Sequence, residues 1–236
     1  MDKRCVVICD SGIGGLRLLK SLQDRFPSEN FVYFADYDNL PYGDKTTEQL
    51  FQIADNIYQR AKVFSPKLIV FACNTLSTTV LPYFTQKPIS IIGVYPKAVD
   101  GSGVLLCTKR TASSKYVEDL KRKFKALEVV EMKDLASQIE RVARFGGDID
   151  LSELKNVRFE KYDYLSLGCT HYAFAKKRLE QIFKNTPIVS GEDLTFDKIE
   201  FFLTTNDAKG ENGCVSFVGK QSEFIKNLYN KGIFEI

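Results

Sequence analysis

The sequence predicts an α/β protein made of two similar domains, each a parallel-rich sheet flanked by helices. Three observations carry that prediction. Short β-rich apolar runs alternate with longer segments of helical period, the pattern left by a parallel sheet covered by helices. Two of the runs end alike, VFACNTLS at 70–77 and LSLGCTHY at 165–172, each with a cysteine followed by polar residues. Between them, YPKAVDGSG at 95–103 interrupts the apolar pattern with proline and glycine.

Taken in order, CVVIC at 5–9 is the first strand. After a glycine cluster, Leu16, Leu19, Leu22 and Phe26 recur at helical spacing until Pro27 closes the segment. FVYFAD is the next strand and DNLPYGDKT a turn-rich loop. Thr46, with Gln49 three residues on, opens a helix that carries Leu50, Ile53, Ile57 and Ala61 inward. KLIVFAC and ISIIGVY are buried strands. A second series begins near Gly103: GVLLCT, a helix from about Ser113 to Phe124, LEVVEM, a helix over DLASQIERVARF, the strand YDYLSLGC and the helix HYAFAKKRLEQIF. PIVSG, FFLTT and CVSFVG read as further strands, before a closing helix over about Gln221 to Lys231. Pattern alone leaves open whether the last strands rejoin the first half. The division expected is residues 1–96 with about 200–236, and 97–199.

Composition narrows the function classes. With 44% hydrophobic residues, 27% charged residues and a net charge of +3, the chain is an ordinary globule and a poor match to a nucleic-acid binder. The KRKFK run at 121–125 marks the solvated end of a helix. The apolar stretch near the N-terminus is too short for a signal peptide, so a cytoplasmic protein with no membrane contact is expected. There thiols stay reduced, and six cysteines with one histidine and no CxxC pair give neither a disulfide framework nor a metal site.

Cys5, Cys9, Cys107 and Cys214 fall inside apolar runs and read as packing residues. Cys73 and Cys169 do not. In open parallel sheets ligands bind beyond the carboxyl ends of the strands, where helix N-termini hold carboxylates and favour thiolate over thiol. Two such thiols on facing domains suggest an acid and a base on opposite sides of one carbon, an arrangement that inverts a stereocentre.

Four segments carry a resemblance: ICDSGIGGL at 8–16, LPYGDKT at 40–46, FACNTLS at 71–77 and LGCTHY at 167–172. They resemble the signature segments of the glutamate racemases, in the cofactor-independent aspartate and glutamate racemase superfamily. The resemblance implies an active site in the cleft between two α/β domains. It implies Cys73 and Cys169 as proton donor and acceptor, no cofactor, a homodimer, and D-glutamate made for peptidoglycan.

Carried over by motif, Asp10 and Ser11 line the substrate site, with Asp10 beside Cys73 as an orienting or proton-handling carboxylate. Tyr42 and Gly43 add contacts from the PYG loop. Asn74, Thr75 and Thr170 hold the amino acid's carboxylate and amino groups, His171 tunes the second thiol, and Glu140 matches the family's second-side glutamate. DSGIGG could instead be a phosphate-cradling turn, but Arg17 breaks the GxGxxG spacing. Two departures stand out: Tyr95 in place of a glutamate before Pro96, and Ala173 in place of a proline. The alternatives are a racemase or isomerase of another small acid such as aspartate, and a non-catalytic glutamate-binding homologue. A Cys-His hydrolase would leave the second strand-end cysteine unexplained.

Overall fold

The computed structural model describes residues 4–184, 186–205 and 213–236. The chain opens with β1 (Val6–Asp10), α1 (Leu16–Arg25) and β2 (Phe31–Ala35), then α2 (Thr47–Lys62), β3 (Leu68–Phe71), α3 (Asn74–Thr79) and β4 (Ser90–Gly93). The second series is β5 (Gly103–Cys107), α4 (Lys109–Ala112), α5 (Lys115–Lys123), β6 (Leu127–Glu131), α6 (Leu135–Phe145), β7 (Tyr164–Gly168), α7 (Lys176–Phe183) and β8 (Ile188–Ser190). It ends with α8 (Glu192–Thr205), β9 (Val215–Val218) and α9 (Ser222–Asn230).

Two sheets result, ordered β4-β3-β1-β2-β9 and β6-β5-β7-β8, with every pairing parallel. The run β2-β1-β3-β4 of the first repeats as β6-β5-β7-β8 in the second. In each sheet the strand order reverses at the first strand of the series, and a crevice opens beyond the carboxyl ends at that point. Asp10 ends β1, and Cys73 lies two residues beyond β3. Cys169 directly follows β7, beside the Cys107 end of β5.

Period-two alternation sends Val6 and Ile8 to one face of the first sheet and Val7 and Cys9 to the other. The first face shares one core with Leu165, Leu167 and Tyr172 of the second series, while the second face packs against Leu50, Ile57 and Ala61 of α2. The Thr46 capping box forms as expected: the Thr46 hydroxyl accepts from Gln49 N, and the Gln49 side chain accepts from Thr46 N. At the amino ends of the strands, Lys67 Nζ meets Glu29 Oε2 at 2.7 Å with both side chains 3% exposed or less.

Three local expectations are corrected. FFLTT is the last part of α8, where Thr195, Ile199 and Leu203 form a buried stripe at helical spacing. The helix expected over 113–124 is present as α5, opened by the Ser114 hydroxyl, which accepts from Val117 N; the short α4 stands before it as an additional element. HYAFAK begins as a 3₁₀ turn, Thr170–Ala175, before α7 takes over. Cys214 precedes the edge strand β9 and is exposed, whereas Cys5, Cys9 and Cys107 are buried; all six thiols are free.

Candidate active site

A narrow cleft lies between the two sheets. Cys73 and Cys169 both line it, with Ser11, Tyr42, Gly43, Thr75 and His171. Thus seven of the eleven residues expected in the site share one wall system. Asp10, Asn74, Thr170 and Glu140 are buried but do not line the cleft. Asn74 Nδ2 donates to Val94 O at 3.4 Å, bracing the chain beyond β4. Thr170 Oγ1 donates to Asp10 Oδ2 at 3.2 Å, and Gly12 N donates to Asp10 Oδ1 at 2.8 Å.

Two of the three glycines of DSGIGG, Gly12 and Gly14, are explained by contact with the second series. A methyl on Gly12 would stand 1.8 Å from Glu140 Oε1, and one on Gly14 would stand 2.5 Å from Thr170 Oγ1 and 2.7 Å from His171 Nδ1. The loop after β1 must lie flat against these groups. Only a residue without a side chain permits it.

Glu140 is the hub of the second side. Its Oε1 accepts from Ile13 N at 2.7 Å and contacts His171 Nε2 at 2.6 Å, while its Oε2 accepts from the Tyr37 hydroxyl at 2.6 Å. A carboxylate only accepts, so Nε2 carries hydrogen and Nδ1 faces Cys169 Sγ at 4.0 Å. Burial works against charge on both partners, but the interactions prevail. Hydrogen bonds to Cys169 and Glu140, with the charges of Glu140 and Asp10, lift His171 well above the usual imidazole range. Hydrogen bonds from His171, Tyr37 and Ile13, with the His171 charge, hold Glu140 below the usual carboxylate range.

On the first side one expectation is overturned. The amides of Thr75 and Leu76 at the start of α3 do favour the Cys73 thiolate, but burial and the charges of Asp10 and Cys169 outweigh them. Its proton is therefore held well above the ordinary thiol range, and a six-residue helix does not reverse that. Asp10 is itself raised, mainly by burial, which makes it a stronger proton acceptor than a surface aspartate. Behind it, Glu192 at the start of α8 is pushed up to about 7 by burial, against the pull of Arg17 and with a further push from the charges of Asp10 and Asp193.

Sequence reading missed Tyr37, Thr108, Ser137 and Tyr172. Thr108 lines the cleft and meets Thr75 Oγ1 at 2.9 Å, joining the two series across it. Ser137 comes from α6, and the Tyr172 hydroxyl is buried without a hydrogen-bond partner among the described residues. Thr108 and Tyr37 each lie one or two residues beyond a strand's carboxyl end. That position was the available signal. Among the described residues no cluster of three or more His, Cys, Asp or Glu could hold a metal, and no helix is long and apolar enough to cross a membrane.

A glutamate racemase of Buchnera aphidicola is 30% identical over 256 residues, spanning 98% of this chain and 99% of that protein. The chain belongs to the glutamate racemase family. A glutamate racemase from Aliivibrio fischeri is 32% identical over 201 residues, 79% of this chain and 77% of that protein. No protein-family model matches. Among solved structures, the Escherichia coli glutamate racemase with L-glutamate and the activator UDP-MurNAc-Ala superposes at a TM-score of 0.81, with 23% identity over 97% of this chain and 95% of that one. The Francisella tularensis glutamate racemase with D-glutamate gives 0.75, with 21% identity over 98% and 95%. Both likenesses describe the two-sheet fold of this glutamate racemase family member.

Proposed function

We propose that this protein interconverts L- and D-glutamate by proton transfer between two cysteines, without a cofactor. The observation that carries the reading is the shared cleft: Cys73 and Cys169 end corresponding strands of two sheets and line one cavity. In one direction Asp10 takes the Cys73 proton, and the Cys73 thiolate removes the α-hydrogen of bound glutamate as the Cα–H bond breaks. The electron pair spreads into the α-carboxylate. Cys169 then gives its S–H proton to the opposite face of the same carbon, and His171, steadied by Glu140, restores the Cys169 proton. In the reverse direction His171 takes the Cys169 proton and the thiols exchange roles. Ser11, Tyr42, Gly43, Asn74, Thr75 and Thr170 supply or brace the donors that hold the substrate's charged groups and stabilise charge as it develops.

The same reading divides the chain into residues 1–96 with about 200–236, and 97–199. It makes the protein a cytoplasmic homodimer that supplies D-glutamate for peptidoglycan, and so for cell-wall biogenesis and cell shape. Incubation with L-glutamate in heavy water tests the mechanism: D-glutamate carries deuterium at the α-carbon, and Cys73→Ala and Cys169→Ala each abolish its formation. Wild-type rates in either variant would refute the two-thiol reading.

A further inference from the structure

Glu140 is gripped from both halves of the molecule. The amide of Ile13 and the hydroxyl of Tyr37 come from loops that leave β1 and β2, and His171 comes from the end of β7. The three donors divide between the two carboxylate oxygens: Ile13 and His171 meet at Oε1, and Tyr37 alone holds Oε2 among the described residues. We propose that Tyr37 is a positioning residue for the proton relay on the Cys169 side, its hydroxyl pinning one oxygen of Glu140 so that the other stays on His171. The inference deepens the two-thiol reading and rests on it.

The phenol suits this task. Burial, with the charge and hydrogen bond of Glu140 and the charge of Asp10, pushes Tyr37 far above the ordinary phenol range, and Arg144 opposes this only weakly. The hydroxyl therefore remains a donor at every working pH. Without it, Oε2 of a residue only 7% exposed loses its partner, the negative charge gathers on Oε1, and the carboxylate is free to turn about its last torsion. The groups facing this pair are Asp10 from β1, Tyr33 from β2, Arg144 from α6 and Cys169 beyond β7. A change of Tyr37 to phenylalanine alters none of them. The imidazolium beside a more concentrated charge persists to higher pH.

His171 is the single histidine of the sequence, so the full chain labelled with ¹⁵N-histidine gives one imidazole to follow. In Tyr37→Phe its titration moves to higher pH than in the wild type, and kcat falls about 10- to 100-fold, the size of one hydrogen bond to a charged group. Because enantiomers have equal free energy, kcat/KM falls equally in both directions. The affected side is revealed by α-deuterated substrate: the primary isotope effect grows only for the enantiomer whose hydrogen Cys169 removes. Tyr33→Phe, which removes a buried hydroxyl bound to Gly12 O at 2.8 Å, leaves the His171 titration in place. Superimposable titrations and isotope effects in Tyr37→Phe overturn the proposal, and so does loss of its folded spectrum, which would assign the hydroxyl to folding. Racemisation by Cys169→Ala would sink the two-thiol reading separately, since the spectroscopic comparison needs no turnover.

Discussion

His171 Nε2 and Glu140 Oε1 stand 2.6 Å apart in a site where both side chains are 8% exposed or less. The pair stabilises the fold only while both are charged. His171 is raised, so its contribution is complete below about pH 6.5 and is lost as pH rises through its shifted value; Glu140 is lowered, so its contribution is complete above about pH 4.3 and is lost as pH falls through its own. Glu140→Gln keeps the shape and removes the charge. The imidazolium is then lost at lower pH than in the wild type, and kcat falls by roughly 100-fold, the low end of general acid–base effects. Paired pH–rate profiles measure both.

Gly12→Ala places a methyl 1.8 Å from Glu140 Oε1. The carboxylate must leave its place between Ile13, Tyr37 and His171. Stability falls by about 1–3 kcal/mol, as for other overpacked interiors, and kcat falls with it. Urea titration and steady-state rates test this together, and a variant with wild-type values for both would contradict the close approach of the loop after β1 to α6.

The Lys67–Glu29 pair lies at the opposite end of the strands from the cleft. Glu29→Leu removes one partner of a buried ion pair and costs roughly 3–5 kcal/mol, while Glu29→Leu with Lys67→Met recovers most of the loss. Chemical denaturation measures the cycle. Activity of the folded fraction is unchanged in both.

Glu192 is raised to about 7 with its side chain 17% exposed. A carboxyl raised on folding binds protons more tightly in the native state, so stability declines as pH rises from about 4.3 to 7 and is level above that. Glu192→Gln removes this decline. Its melting temperature exceeds that of the wild type above pH 7 and approaches it at pH 4, which a pH series of thermal unfolding curves checks.

Much of this architecture was legible in the sequence because local rules and global fold agree. Thr46 and Gln49 announce a helix start, and the structure contains that capping box. The matching contexts of Cys73 and Cys169 placed both at strand ends that now line one cleft. FFLTT misled because five residues, four of them β-branched or aromatic, are too short a window. The stripe that makes them helical begins at Thr195, outside it. Cys214 looked like a packing residue because sequence does not tell an edge strand from a central one. The thiol expectation failed for a different reason: motif position reports the helix amides near Cys73, but the depth of burial that overrides them depends on the closed cleft. Tyr37 was invisible as a partner of Glu140 because 103 residues separate them.

β9 pairs with β2, so the outermost position of the first sheet is filled from the far end of the chain. During synthesis β2 therefore emerges with a bare hydrogen-bonding edge and keeps it until the closing segment has left the ribosome. An unpaired edge invites association with neighbouring nascent chains. Ribosome-bound fragments that stop before Val215 will recruit chaperones or aggregate, and the emergence of β9 is the event that covers the β2 edge.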